Sequence, residues 1–387
     1  MMAIEYLKIC DFTEVITGGT PSTKKSEYWG GTIPWLPSGV CQNCSVFDAK
    51  TFITQEGLDN SAAKMIPINS VLIALTGATA GKVAYLQMEA TANQSISAIV
   101  PSEKHIPKYL FYYLLYRRDK TLSDCYGGAQ KHISQEYVKN IIVPLPSLEK
   151  QTRIACELDY TNELIDKRKE QLRKLDELVK ARFVELFGDP EKNTLGWKEQ
   201  PLSKHLNVIG GYAFKSEKFS EEGIPVLRIG NINSGFFKPV NLVFWEDDDA
   251  LSRYKMYPGD LVMSLTGTVG KDDYGNVCIL GNDYTEYYLN QRNAKLELKD
   301  TMNKYYLSML LKFEPVKKKL TGISRGVRQA NISNKDILNL SVPIPPIELQ
   351  NQFANFVEQT GKSKLEVQKS LEKLELLKKA LMQKYFG

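Results

Sequence analysis

LEKQTRIACELDYTNELIDKRKEQLRKLDELVKARFVELF, Leu148 to Phe187, decides the organisation of this chain because the chain writes it twice. Shifted by 199 positions, it overlays Ile347 to Phe386 without a gap. LEKQTRIA falls on IELQNQFA, Leu172 on Leu371, Leu175 on Leu374, and Phe187-Gly188 on Phe386-Gly387. A register held that far is a duplication, and self-similarity at a fixed offset governs the architecture before any local reading does. In the first copy Leu158, Ile165, Leu172, Val179 and Leu186 recur every seven residues. In the second, Val367, Leu374 and Leu381 form the clean row, which is the other stripe of the heptad. An apolar repeat of about 3.5 residues needs a partner helix. Two such helices in one chain can supply each other, with Leu175 and Leu371 completing the expected seam.

Working outward, the segments before each helix also repeat. Val15-Ile16-Thr17-Gly18-Gly19 corresponds to Val208-Ile209-Gly210-Gly211, TIPWLPSGV to GIPVLRIGNIN, and VLIALTGATAGK to LVMSLTGTVGK. Asn93-Gln94 corresponds to Asn290-Gln291, KYLFYYLLY to NKYYLSMLLKF, GGAQKHIS to RGVRQANIS, and IIVPLP to LSVPIP. The short apolar runs between Gly and Pro read as strands, and the Tyr/Leu-rich segments as helices. The expected order is a first block over 1–146, a helix over 147–190, a second block over 191–345 and a helix over 346–387. Removing everything from Ile347 onward should then leave two folded blocks.

At 387 residues, 43% hydrophobic and 25% charged, the chain has material for two or three globular domains. A formal charge of +5 permits a polyanionic partner without demanding one. No apolar run is long enough to span a membrane, and the start lacks the pattern of a signal peptide. Cys10, Cys41, Cys44, Cys125, Cys156 and Cys278 are scattered, which fits a reduced cytoplasm. Cys41 and Cys44 have zinc-knuckle spacing but no second pair, so they read as coincidental thiols, with no metal ligands expected.

Catalytic signatures are missing. Gly77-Ala-Thr-Ala-Gly81-Lys82 is one residue short of a phosphate loop and has Val83 where the Mg²⁺-holding hydroxyl belongs. It reads instead as a tight strand connection whose amides and lysine face outward. His105, His132 and His205 share no motif. The loops do carry groups suited to nucleic acid: Lys24, Lys25, Tyr28, Trp29, Thr79, Lys82, Gln130, Lys131 and His132 in the first block. The second offers Phe214, Lys215, Arg228, Asn231, Asn233, Lys271, Arg292, Arg325, Arg328 and Gln329. Lys and Arg neutralise phosphates, and Arg, Asn and Gln make paired bonds to base edges. Asn93-Gln94 and Asn290-Gln291 recur unchanged and read as structural, and Lys317-Lys318-Lys319 fits a solvated helix face as well as a phosphate contact.

Two blocks with a Gly-Gly turn, IPxL, LTG…GK, NQ and VPxPxxE, alternating with two long helices, resemble the specificity subunit of type I restriction-modification systems. The resemblance covers essentially the whole chain. It implies an α+β fold in which two pseudo-repeated mixed α/β target-recognition domains alternate with two long helices forming an antiparallel coiled coil. It implies double-stranded DNA as ligand, each domain reading half of a bipartite site, with two methyltransferase subunits and restriction/translocase subunits as partners. S-adenosylmethionine, ATP and Mg would then serve those partners, with no cofactor in this chain. The rival readings are a coiled-coil adaptor for a protein partner and a nucleotide-binding enzyme using the GATAGK loop.

Overall fold

The structure, a computed structural model, describes residues 4–124, 132–233, 235–322 and 329–387. Two uninterrupted helices, Leu148–Phe187 and Ile347–Phe386, dominate it. Gly188 closes the first at φ +78°, its N–H bonded to the Val184 carbonyl, the left-handed stop that glycine supplies without strain. Among the described residues no helix is long and apolar enough to cross a membrane.

The chain divides into two compact units, residues 1–169 with 369–387, and residues 170–368. Each unit therefore holds one block and half of each long helix. In the first unit a sheet runs, in spatial order, Val15–Thr17, Ile96–Ile99, Val71–Ala74, Val83–Leu86 and Cys44–Val46. Its three central strands are buried along their whole length because both faces are covered. Alternate residues split cleanly. Val71, Ile73, Val83, Tyr85 and Ile99 pack with helix Pro107–Tyr116 and with the long helices. Leu72, Ala74, Ala84, Leu86, Ile96 and Ala98 pack on the other side with Leu36 and Ala92. The second unit repeats this with Leu206–Gly210, Asn293–Leu298, Leu261–Ser264 and Val277–Ile279. Leu261, Met263 and Val277 face helix Lys304–Lys312, while Val262 and Cys278 face Leu227 and Leu289. Each unit adds a small sheet built on a parallel pair, Trp35 opposite Thr91 and Leu36 opposite Ala92 in one, Val226 opposite Tyr288 and Leu227 opposite Leu289 in the other.

Register corrects the sequence overlay by one residue. Thr17 pairs with Ser97 and Gly210 with Ala294, so Gly18 corresponds to Gly211, not to Gly210. A Cβ on Gly18 would sit 2.2 Å from the Asn93 carbonyl oxygen, and one on Gly211 2.1 Å from that of Asn290. The recurring Asn side chains are structural: Asn93 Oδ1 accepts from the Ser95 N–H at 3.1 Å and Asn290 Oδ1 from the Arg292 N–H at 3.4 Å.

The long helices belong to the cores. In the first unit Ile154, Ala155 and Leu158 share a cluster with Leu381 and Met382, and the Phe386 ring lies 5.4 Å from that of Tyr109. In the second, Phe183 and Phe187 pack on Tyr306, with Phe187 at 4.7 Å, and Phe353 lies edge-on to both phenylalanines. The expectation that truncation before Ile347 leaves two folded blocks is therefore wrong, since it would strip both cores. Within the first unit Glu157 bonds to Tyr385 and Arg168 to Ser370, and within the second Asp176 pairs with Lys364 and Arg182 lies over Phe356. Partner numbers fall as first-helix numbers rise, so the pairing is antiparallel. Leu158, Ile165, Val367, Leu371 and Leu381 are buried in the seam, while Leu172, Leu175, Val179, Leu186 and Leu374 are half-buried because two helices leave the flanks open. Lys378 interrupts the apolar row, and desolvation holds its ammonium below the usual lysine range.

Candidate nucleic-acid interface

Strand register places the divergent loops of each unit at one end of its main sheet. In the first unit Thr17, Ala74, Val83 and Ile96 stand at that end, so the loops that follow or precede them are neighbours. The tip Gly77–Thr79 turns there, and His132 bridges Thr76. Lys24, Lys25 and His132 are exposed, and Trp29, Thr79 and Lys82 are half-exposed. Tyr28 is corrected: it is only 4% exposed, and its hydroxyl accepts from Lys25 Nζ at 2.8 Å. That bond holds the Lys25 ammonium above the usual lysine range. Trp29 is anchored, its indole N–H donating to the Ser22 carbonyl at 3.2 Å and its ring edge-on to Trp35 at 5.2 Å. Lys82 donates to Gln42 Oε1 at 2.7 Å.

The GATAGK amides do not face outward as expected. Ala80 N–H bonds to Gly77 O, Gly81 N–H to Ala74 O and Lys82 N–H to Thr79 O, while Gly77 and Gly81 adopt φ +72°. The segment is a self-satisfied strand connection with those amides unavailable to a phosphate. Cys41 is buried and its thiol is pushed up to about 12 by that burial, whereas Cys44 is exposed.

In the second unit the same sheet end carries Gly210, Ser264 and Asn293. Phe214, Arg228, Asn231 and Arg292 come together in a pocket of about 520 Å³, with Asn241, Asn290 and Gln291 also in its wall. Two of these are corrected from readers to supports. Phe214 is 8% exposed and packed in an aromatic cluster with Trp245 and Tyr288. Asn231 is 2% exposed. Its amide donates to the Lys238 and Val240 carbonyls at 3.0 and 2.9 Å, and its Oδ1 accepts from the Arg228 N–H at 2.9 Å. Asn233 and Lys271 are elsewhere, lining a cleft of about 1020 Å³ with Lys312, Lys317 and Lys364. There Lys317 is tied to Asp272 and Asn276, and Lys312 donates to the Gly235 carbonyl at 3.1 Å. Burial in the cleft wall holds the Lys312 ammonium below the usual lysine range. Lys215 is exposed. Gln130, Lys131, Arg325 and Arg328 fall outside the described residues, and only the backbone of Gln329 is described, paired with Thr268.

Sequence reasoning passed over Gln42 and Asn241. Both are loop amides, and only the fold brings them beside Lys82 and Arg228. Among the described residues no cluster of three His, Cys, Asp or Glu side chains could hold a metal ion.

Known proteins resemble this chain in sequence and in fold. A family model described as the type I restriction modification DNA specificity domain matches residues 2–174 and again 195–376. The chain is 26% identical to the type I restriction enzyme MjaVIII specificity subunit of Methanocaldococcus jannaschii, over 96% of this chain and 90% of that one. It is 28% identical to the EcoR124I/EcoR124II specificity subunit of Escherichia coli, over 50% of each. The crystal structure of a type I restriction-modification system S subunit from M. genitalium superposes with a TM-score of 0.59 at 16% identity, covering 100% of this chain and 96% of that one.

Proposed function

The chain belongs to the type I restriction modification DNA specificity family, and from that premise we propose that it chooses the DNA sequence on which a multi-subunit complex acts. Each block, 1–146 and 191–345, reads one half of a bipartite target. The observation that carries this is the doubled frame: the sheet, the Gly18/Gly211 contact and the Asn pair are retained, while the loops at the same sheet end carry different side chains. A frame kept with its rim rewritten is what reading two different half-sites requires.

The chain is the non-catalytic member of its complex and holds no cofactor. Two methyltransferase subunits, using S-adenosylmethionine to modify adenine, and restriction/translocase subunits, using ATP and Mg, supply the chemistry. The work takes place in the cytoplasm, where the DNA is. What supports the partner reading is the pair of long helices, whose flanks stay open beyond the seam: Leu178, Leu365 and Leu376 are exposed.

The test is reconstitution. The chain co-produced with its methyltransferase should direct methylation to one bipartite motif, and the isolated chain should transfer no labelled methyl group. Its DNA affinity should fall steeply with salt, as phosphate contacts demand. Methylation by the isolated chain, or affinity indifferent to salt, would refute the proposal.

A further inference from the structure

The pocket of the second unit contains two arginines, Arg228 and Arg292, and no carboxylate in its wall. The cleft lined by Lys271 and Lys317 in the same unit instead sets Asp176, Asp272 and Glu314 among its lysines. The two arginines are held differently. Arg228 is half-buried and its guanidinium donates to the Asn241 carbonyl. Arg292 is exposed, and its guanidinium makes no bond to the rest of the chain among the described residues. Its backbone is nevertheless fixed, since its N–H donates to Asn290 Oδ1 and its carbonyl accepts from Leu265 N–H. The opposite wall is fixed by Asn231, which grips residues 238 and 240 and so sets Asn241 in place.

The internal repeat acts as a control. Register matches Leu227 to Leu36 and Asn290 to Asn93, so Arg228 corresponds to Pro37 and Arg292 to Ser95. The glycine and asparagine contacts of the frame, Gly18 with Gly211 and Asn93 with Asn290, recur in both units; these two arginines do not. They stand at equivalent places on the frame and are peculiar to the second unit.

Resting on the DNA-reading function above, we propose that Arg292, with Arg228 beside it, determines specificity by reading a guanine in the half-site assigned to the second unit. A guanidinium fork matches two adjacent acceptors. In DNA those are O6 and N7 of guanine or two oxygens of a phosphate. The amides of Gln291 and Asn241 favour the base edge, because amides discriminate donors from acceptors and a phosphate offers only acceptors. Asn231 is a positioning residue.

The experiment selects binders from a random-sequence duplex library with the full chain, then repeats the selection with Arg292→Ala and Arg292→Lys. Among the described residues the Arg292 guanidinium has no internal partner, and a thermal unfolding curve confirms that each variant is folded. The wild-type motif should contain guanine in one half-site. Both variants should relax that single position and lose about tenfold to a hundredfold on the wild-type duplex. Lysine should fail as alanine does, since it keeps the charge but not the fork. A loss uniform over all sequences, with the salt slope lowered by about one and rescued by lysine, would make Arg292 a phosphate contact and overturn the inference. An unchanged motif in both variants would overturn it as well. Failure of the wild-type chain to select any motif would bring down the DNA-reading function itself, a result distinct from the other two.

Discussion

Gln151 and Gln350 stand at the same place in the two copies and make the same bonds. Each side-chain NH₂ donates to the carbonyl of a preceding proline, Pro146 at 2.8 Å or Pro345 at 2.9 Å. Each Oε1 accepts the N–H just before the Tyr-rich helix, from Ile106 at 2.9 Å or Asn303 at 2.8 Å. Both side chains are buried, so Gln350→Leu would orphan the Asn303 N–H and should destabilise the second unit by about 1–3 kcal/mol, read from its urea midpoint. His105 gives a pH signature. It is 2% exposed, its Nδ1 meets Ser102 Oγ at 2.9 Å, and burial lowers its pKa to about 4. The unfolded chain, near 6.5, then binds more protons than the folded one, so stability is complete above about pH 6.5 and is lost as pH falls toward about 4. At pH 5 the loss should be about 2 kcal/mol, and His105→Gln should remove it from the difference between urea midpoints at pH 7 and 5. The contribution of His205, whose pKa burial also lowers, is common to both proteins and cancels. The cationic candidates were legible because long charged side chains at loop positions reach solvent almost wherever the fold puts them. Tyr28, Phe214 and Asn231 were not, because burial depends on which distant segment covers a residue.

At the level of elements, the second long helix serves two cores from one continuous rod. Phe353, near its start, is fully buried against Phe183 and Phe187, whereas Leu376, beyond the middle, is 72% exposed. Phe353→Ala should cost about 3–5 kcal/mol and lower the unfolding midpoint of the second unit, since the ring leaves a cavity in a packed cluster. Leu376→Ser should stay within about 0.5 kcal/mol of the parent. Equal effects from the two substitutions would mean that Phe353 does not hold this core. The helices themselves were visible as a heptad row, and the central strands as apolar runs, because periodicity is local. The two-strand ribbons Glu5–Lys8 with Ile142–Leu145 and Glu199–Pro201 with Ser341–Pro343 were only half visible. One member of each is short, polar and paired far away in sequence, so nothing nearby signals it.

For the molecule as a whole, two partitions compete: four segments in sequence order, and two compact units that each take half of both long helices. They predict different chimaeras. Exchanging residues 191–345 for the corresponding block of another family member leaves the host's Phe183, Phe187 and Phe353 facing a foreign core. Mismatched volumes in a packed core typically cost about 1–3 kcal/mol. Exchanging residues 170–368 brings those rings together with the sheet and helix they pack against. Both exchanges should alter one half of the methylated motif and leave the other, because the loops of the first block, from Thr20 to His132, are untouched. The larger exchange should unfold at the higher temperature. Thermal unfolding of the two chimaeras, with methylation mapped across the genome of a host supplying the methyltransferase, measures both quantities. Changes in both halves of the motif would break the division of labour between the blocks. Equal stability with a correct half-site change would leave that division standing and show that Phe183, Phe187 and Phe353 tolerate a foreign core.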